Sequence, residues 1–444
     1  MAITETKTKY GQIHGVPKDG YTVFRGIPYA KPPVGKKRFC PPEEPACWEG
    51  VYKADHFGCV CPQTEHEPDS FYGKEFYLDP EFGMKQSEDC LYLNIWTPAN
   101  TVDEKLPVAF WIHGGAFMHG FSHESEFDGA AYCERGVILV TINYRLGAFG
   151  FLAHPWLSEE SGVGRSGNYA ILDQIAALKW VKENIAEFGG DPENITVFGQ
   201  SAGCMSVQTL VSSPLTENWI SKAIFQSAGG YDTGLNRDMP LSEAETIGQE
   251  FVELSGAKSL EELRAIPAEQ IVELQEEFGR VNPSRMLSFV PNIDDYLLTC
   301  GYNEAVTERK IKDIPYMLGS TADDIGVFPE MKEKGEHGGI YKGCINWSLA
   351  LEKLGRKPAY VYYFTRALLG DDAGAFHSSE LWYMFGTLGR SWRPKTEGDY
   401  ALSKEMMDDW TNFMKTGNPN AEGKDDWKPC TKDDPYVQVL DVRK

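Results

Sequence analysis

Five consecutive residues, Gly199-Gln200-Ser201-Ala202-Gly203, carry the strongest chemical signal in the sequence. They form a G-x-S-x-G pattern between a short β-forming run at 195–198 and a predicted helix that starts at 202. At such a sharp strand-to-helix turn the serine hydroxyl is exposed as a nucleophile, and the glycines relieve the crowding of the backbone. The N–H of Ala202 points the same way and can stabilise an oxyanion.

A serine hydroxyl is a weak nucleophile until a base takes its proton and an acid orients that base. In α/β-hydrolases the order along the chain is nucleophile, acid and histidine, which restricts the base to His337 or His377. His337 lies in a charged loop, Lys-Gly-Glu-His-Gly-Gly, whereas His377 follows a predicted strand at 360–365. We therefore predict that His377 is the base.

The acid is expected just after a strand that follows the nucleophile. A predicted strand at 315–319 is followed by Asp323 and Asp324, and two adjacent aspartates cannot both face the histidine. We predict Asp324 as the acid and Asp323 as a helix cap, with Asp323 as the alternative acid.

A second group of backbone donors is predicted in His113-Gly114-Gly115-Ala116-Phe117, which follows a predicted strand at 108–112. N–H groups there can face Ser201 because the side chains are small. Nearby, His119 and His123 are four residues apart, as in some metal sites. Gly120 and the loop setting argue against a helix, so we expect neither a metal nor a cofactor.

Composition excludes several classes of function for this chain of 444 residues. Its net charge of −22 opposes binding to nucleic acid or to an anionic membrane. No apolar run reaches the roughly 18 to 20 residues of a membrane helix, and the polar start lacks a secretion signal, so we expect a cytoplasmic protein. Ten scattered cysteines without a C-x-x-C pair are expected to be free thiols.

The predicted elements alternate between strands and helices, which indicates a mostly parallel, twisted sheet flanked by helices. A hairpin is predicted over 10–29, with its turn at 17–20, and a polar loop over 64–87. The remaining predicted strands lie at 108–113, 137–143, 195–198, 222–226, 315–319 and 360–365. A long helix is predicted at 169–187. We predict a single catalytic domain over 1–444, in which a Glu-rich helical insertion at 240–282 packs over the site.

These motifs resemble the type-B carboxylesterase family, which includes cholinesterases and bacterial para-nitrobenzyl-type esterases, over nearly the whole chain. The most specific match is Ser87-Glu88-Asp89-Cys90-Leu91-Tyr92-Leu93-Asn94-Ile95. Further matches lie at 24–30, 32–35, 38–39, 143–147, 167–168, 172–174, 188–192 and 416–420.

The resemblance implies an α/β-hydrolase fold with helical insertions over the active site. It also implies specific residue roles, which are the triad Ser201, Asp324 and His377, the oxyanion donors Gly115, Ala116 and Ala202, and the structural ion pairs Arg38–Glu88 and Arg145–Asp173.

The sequence departs from this family in ways that bear on its substrate. The acid is usually glutamate, and cholinesterases have glutamate where this chain has Gln200. The segment from Cys61 to Cys90 lacks the tryptophan of cholinesterases, so a cationic substrate would lack its usual partners. The Cys61–Cys90 disulfide of secreted relatives is not expected in a reducing cytosol. The 53 residues from Asp324 to His377 are fewer than the family has, which implies a more open site.

We therefore predict a serine carboxylesterase that acts on short to medium acyl or aryl esters through an acyl-enzyme intermediate. The candidate substrate-binding residues are Gln200, Phe117, Trp382 and Tyr383. The partner is a small-molecule ester, and both monomer and dimer remain open. The alternatives are a carbohydrate-directed acetyl or feruloyl esterase and, from another class, a non-catalytic cholinesterase-like interaction protein.

Overall fold

The computed structural model describes residues 2–235 and 237–443. Its strands are β1 (Glu5–Thr8), β2 (Gly11–Pro17), β3 (Thr22–Pro28), β4 (Val51–Ala54), β5 (Tyr92–Thr97), β6 (Leu106–Ile112), β7 (Ile138–Ile142), β8 (Gly190–Gln200), β9 (Lys222–Gln226), β10 (Tyr316–Thr321), β11 (Tyr360–Phe364) and β12 (Gln438–Leu440).

Its α-helices are α1 (Phe71–Phe76), α2 (Ala130–Cys133), α3 (Gly147–Phe151), α4 (Pro155–Glu160), α5 (Tyr169–Asn184), α6 (Ala202–Ser212), α7 (Leu241–Ser255), α8 (Leu260–Ala265), α9 (Ala268–Val281), α10 (Tyr302–Thr307), α11 (Pro329–Glu333), α12 (Gly339–Lys353), α13 (Leu381–Met384) and α14 (Glu397–Thr416). Short 3-10 helices lie at Gly35–Lys37, Pro80–Phe82, Val102–Glu104, Ile185–Phe188, Pro214–Thr216, Pro283–Arg285 and Leu388–Arg390.

The strands form one sheet in the order β1-β2-β3-β5-β7-β6-β8-β9-β10-β11-β12, and β4 pairs with β2. From β7 to β12 every neighbouring pair is parallel, whereas β1, β2, β3 and β5 form an antiparallel edge. The carboxyl ends of β8, β10 and β11 therefore lie at the same edge of the sheet. In such sheets ligands bind outside this edge.

Both faces of the sheet are covered, because successive side chains of a strand point to opposite sides. Along β6, Phe110 and Ile112 pack into one hydrophobic core, which also contains residues of α5 and α6. The intervening Trp111 packs into a second core with residues of α13 and α14, including Trp410. The predicted sheet, parallel at its centre and flanked by helices, is confirmed.

Most predicted elements are present, with shifted ends. The hairpin is formed by β2 and β3, and the predicted helix at 169–187 becomes α5 followed by a 3-10 turn. The prediction of a polar loop over 64–87 is wrong in part, because α1 lies within it. The Ser70 side chain caps α1 by accepting from the N–H of Gly73 at 3.1 Å.

Residues 240–282 are helical, as predicted, and form α7, α8 and α9. It stays a prediction that this segment is an insertion over the site. It also stays a prediction that residues 1–444 form a single domain. Within residues 2–235 and 237–443, no helix combines the length and the apolar character needed to cross a membrane.

Two predicted ion pairs are confirmed. Arg145 and Asp173 are both buried, and their side chains form two hydrogen bonds of 2.7 and 2.8 Å, which attach the chain after β7 to α5. Arg38 donates through Nε to Glu88 at 2.6 Å. Because both charges of the Arg145–Asp173 pair are shielded from water, loss of either partner would leave a buried charge uncompensated.

Candidate active site

Ser201 occupies a strained turn between β8 and α6. Its backbone has φ 56° and ψ −126°, a conformation that costs a residue with a side chain on the order of 1–3 kcal/mol. A Cβ atom on Gly199 would lie 2.6 Å from the carbonyl carbon of Gly203, and one on Gly203 would overlap the carbonyl oxygen of Ile112. The predicted need for glycine on both sides of the turn is therefore confirmed.

The loops after β10 and β11 bring an aspartate and a histidine together. Asp324 Oδ1 lies 2.6 Å from His377 Nδ1, and both side chains are buried. The carboxylate also accepts from the N–H groups of Thr321 at 3.0 Å and Ile325 at 2.9 Å. These backbone bonds fix the carboxylate and therefore the plane in which it can hold the imidazole.

Asp323 has a different task from its neighbour. Its backbone N–H donates to the carbonyl of Ala375 at 2.9 Å, its side chain accepts from the N–H of Ala375 at 2.8 Å, and it forms an ion pair with Lys332. The predicted helix cap is wrong, because the next helix, α11, begins later and has Phe328 at its N-cap. Asp323 instead attaches the loop that carries the histidine to the end of β10.

The second nitrogen of the histidine contacts an amide. His377 Nε2 lies 3.1 Å from Gln200 Nε2, and Gln200 is only 3% exposed. Within the described part of the chain, no hydrogen bond joins His377 to the Ser201 hydroxyl. Ser201 is nonetheless close to the glycine loop, since a Cβ atom on Gly114 would lie 3.1 Å from the Ser201 Cβ.

The glycine loop after β6 has a positive φ at three successive residues, which strains the backbone of the two that carry a side chain. Gly115, Ala116 and Phe117 have φ values of 102°, 55° and 61°. The loop is closed by the N–H of His119, which donates to the Gly115 carbonyl at 2.9 Å, and anchored by the N–H of Gly147, which donates to the Phe117 carbonyl at 2.7 Å.

This conformation leaves backbone donors available. Among the described residues, neither the N–H of Gly115 nor that of Ala116 has a protein acceptor. Ala202, the first residue of α6, has no acceptor within its own helix. The three predicted oxyanion donors are thus free to bind an oxygen atom of a ligand.

Two predicted substrate-binding residues, Trp382 and Tyr383, are both 0% exposed, which differs from the expectation. Trp382 Nε1 donates to Glu75 of α1 at 3.0 Å, and the Tyr383 hydroxyl donates to Asp399 of α14 at 2.6 Å. Their polar atoms are therefore occupied in supporting neighbouring helices. The ring of Phe117 is also buried, at 2% exposure.

Exposed apolar side chains instead occur on α1 and in the segment that follows the aspartate. Phe71 of α1 packs edge-to-face on Phe376, the residue before the histidine, with ring centroids 4.9 Å apart. Tyr72 follows on the same helix, and Ile325 and Phe328 follow the aspartate. We call Phe71, Tyr72, Ile325 and Phe328 the apolar rim. The sequence analysis missed it, although aromatic residues in the predicted loop at 64–87 were a signal.

The other histidines considered above lie apart from this arrangement. His119 Nδ1 lies 3.2 Å from the carbonyl oxygen of Thr64, and the His123 ring stacks on Phe57 with centroids 4.3 Å apart. His337 stacks on Tyr341 at 4.0 Å. The described residues contain no group of three or more potential metal ligands.

A further carboxyl group lies beside the histidine. Glu380 is fully buried, and one oxygen accepts from Gln226 at 3.4 Å, while its other oxygen has no partner among the described residues. Burial, reinforced by the charge of Asp324, raises the pKa of Glu380 to about 7. The sequence analysis missed this residue, and its position three residues after the histidine was the only signal.

The raised pKa of Glu380 predicts a stability change with pH. An unfolded glutamate has a pKa of about 4.3, so between about pH 4.3 and pH 7 the folded protein binds more protons than the unfolded chain. The contribution of Glu380 to stability therefore falls as the pH rises through this window. At pH 8 the unfolding free energy of Glu380→Gln should be higher than that of the wild type by up to about 4 kcal/mol. Near pH 4 the two proteins should be equally stable.

Urea unfolding at both pH values measures this difference. Glu422→Gln, at an exposed position, is the matched control and should follow the wild type throughout. An equal effect of Glu380→Gln at both pH values would contradict the assignment.

The chain is similar to proteins of known family. The carboxylesterase family matches residues 3–346 and 342–444. The chain is 33% identical to the para-nitrobenzyl esterase of Bacillus subtilis (strain 168), over 98% of this chain and 94% of that protein. It is also 33% identical to the fumonisin B1 esterase of Sphingopyxis macrogoltabida, over 95% of this chain and 83% of that protein.

A solved structure of a PNB esterase is similar throughout. Its TM-score is 0.86 at 30% sequence identity, and the match covers 99% of this chain and 96% of that chain. The predicted α/β-hydrolase fold and the resemblance to type-B carboxylesterases are thus confirmed. The chain belongs to the carboxylesterase family, and it is an enzyme that hydrolyses carboxylic esters.

Proposed function

We propose that Ser201 is the nucleophile of this esterase, His377 its general base and Asp324 the carboxylate that orients the base. The observation that carries the proposal is the 2.6 Å hydrogen bond between His377 and Asp324, at the sheet edge where the turn of Ser201 also lies. The order of these residues along the chain is that of α/β-hydrolases.

In this mechanism the Ser201 hydroxyl attacks the ester carbonyl carbon while His377 Nε2 takes the proton. The imidazolium then gives this proton to the departing alcohol, which leaves an acyl group on Ser201. Water, deprotonated by the same nitrogen, releases the acid. Asp324 keeps the other proton on Nδ1 and stabilises the imidazolium that forms.

We assign the oxyanion to the backbone N–H groups of Gly115, Ala116 and Ala202. Their lack of protein acceptors supports this assignment, because a donor that is already in place needs no rearrangement when the negative charge develops. The loss of one such donor typically lowers kcat by about 10² to 10³.

The substrate class that we propose is neutral esters with a short to medium acyl or aryl group. The apolar rim supports it, because Phe71 packs on the residue before the histidine and exposes apolar surface there. Ile325 and Phe328, which follow the acid in the chain, are also exposed. Gln200 provides no negative charge for a cationic substrate. The Bacillus subtilis relative is itself named for a para-nitrobenzyl ester.

We also propose that the enzyme works in a reducing compartment such as the cytoplasm. All ten cysteines are thiols in the structure, including the buried Cys61 and Cys90. The hydrogen bond with the neighbouring Cys61 thiol, together with burial, raises the pKa of Cys90, which keeps this thiol protonated and unreactive.

Replacement of the nucleophile tests the proposal. Ser201→Ala should lower hydrolysis of every ester in a series of p-nitrophenyl esters of rising chain length, with methyl ferulate added, by about 10⁴-fold or more. Ser284→Ala, at an exposed position, is the matched control and should keep wild-type rates. Unfolding midpoints of both variants check that the fold is intact. Hydrolysis by Ser201→Ala within tenfold of the wild type would refute the proposed nucleophile.

The two aspartates are distinguished by a second pair of variants. Asp324→Asn should lower kcat by roughly 10³- to 10⁴-fold, because an amide favours the wrong imidazole tautomer and removes the stabilising charge. Asp323→Asn can still accept the hydrogen bond from Ala375 and should lose less than about tenfold. Steady-state rates on p-nitrophenyl acetate compare them, and the reverse order would transfer the acid role to Asp323.

A further inference from the structure

The contact between Gln200 and His377 lies at the nitrogen that the proposed mechanism uses. His377 Nε2 must take the proton of Ser201, yet its neighbour in the structure is the Gln200 side-chain nitrogen at 3.1 Å. Both side chains are buried, at 3% and 8% exposure, so water does not readily replace either partner.

The direction of this hydrogen bond follows from the chemistry of its partners. The Asp324 carboxylate accepts only, so the proton it binds belongs to His377 Nδ1. A neutral imidazole carries one proton, which leaves a lone pair on Nε2. An amide nitrogen donates only, so Gln200 donates to that lone pair. The amide therefore occupies the position at which the serine hydroxyl would donate.

The backbone around the contact makes room for it. A Cβ atom on Gly114 would lie 3.0 Å from Gln200 Oε1, so the absence of a side chain at Gly114 lets the amide lie here. Gln200 directly precedes Ser201, and the N–H of Ser201 donates to the Gln226 carbonyl at 2.9 Å. The backbone is thus fixed, and the amide can leave the imidazole only by side-chain rotation.

We propose that Gln200 is a positioning residue that holds His377 in a resting contact and competes with the Ser201 hydroxyl for Nε2. The inference rests on the proposed function of Ser201 and His377. In the resting enzyme the donated hydrogen bond orients the imidazole. Acylation begins when the amide rotates away and the hydroxyl of Ser201 takes its place.

The titratable groups near the imidazole also influence the pH profile of kcat/KM. Asp324 faces Nδ1 from the loop after β10, and Glu380 lies near His377 in the segment that follows it. Tyr72 of α1 lies near Asp324 and Glu380. These groups stay unchanged when Gln200 is replaced. A shift in the profile of a Gln200 variant is therefore assigned to the loss or change of the amide contact.

Two substitutions test the contact in different ways. Gln200→Met keeps the length of the side chain but cannot donate, so the p-nitrophenyl acetate burst at the pH plateau should be two- to tenfold faster, roughly the effect of one neutral hydrogen bond. Gln200→Glu introduces a carboxylate that binds the protonated imidazole. It should move the acid limb of the kcat/KM profile to higher pH by about one unit or more.

Stopped-flow bursts and pH profiles provide these readouts, and Gln270→Met at an exposed position of α9 should match the wild type in both. A burst of Gln200→Met that is unchanged or slower overturns the proposal, since Gln200 would then only support the site. An acid limb that is unmoved in Gln200→Glu also overturns it.

Nitrogen NMR of the resting wild-type enzyme with ¹⁵N-labelled histidine gives an independent result. The proposal predicts a proton on His377 Nδ1 and a hydrogen-bonded lone pair on Nε2, which changes in Gln200→Met. A proton on Nε2 would place the amide oxygen there and overturn the proposal. This measurement does not depend on whether Ser201 is the nucleophile, so failure of the proposed function, seen with Ser201→Ala, remains distinguishable.

Discussion

The close packing of the turn at Ser201 against the end of β6 is the constraint on which the site depends. A side chain on Gly203 would overlap the carbonyl oxygen of Ile112, and one on Gly199 would overlap Gly203 itself. Because there is no space for a side chain at 199 or 203, the chain turns sharply at residue 201, and Ser201 adopts a positive φ. The strain is offset by the hydrogen bond to Gln226 and by the buried helix α6 that follows.

The parallel centre of the sheet then places the partners of this turn. Because β8, β9, β10 and β11 are adjacent and parallel, their carboxyl ends deliver the serine, the aspartate and the histidine to one edge. The two adjacent carboxylates have different roles. Asp323 fixes the loop that carries the histidine, and Asp324 orients the imidazole ring. Secondary contacts such as Trp382 to Glu75 hold α1, and with it Phe71, beside that edge.

Sequence reasoning predicted what local pattern and chain order determine. The strand before Ser201, the helix after it, and the approach of Asp324 to His377 follow from short motifs in a known order. It could not predict contacts between side chains far apart in the chain. The hydrogen bond from Trp382 to Glu75 spans 307 residues, and the contact of Gln200 with His377 spans 177. Such contacts depend on the finished packing, which no local pattern encodes.

The most direct test of the account is the site of covalent modification during turnover. Wild-type enzyme incubated with a p-nitrophenyl ester and quenched in the burst phase is digested, and the acylated peptide is identified by mass spectrometry. The account predicts one acyl group per chain, attached to Ser201 in the peptide that contains Gly199 and Gly203. Acylation of another residue, or turnover with no acylated peptide under conditions that trap a fluorophosphonate adduct, would contradict it.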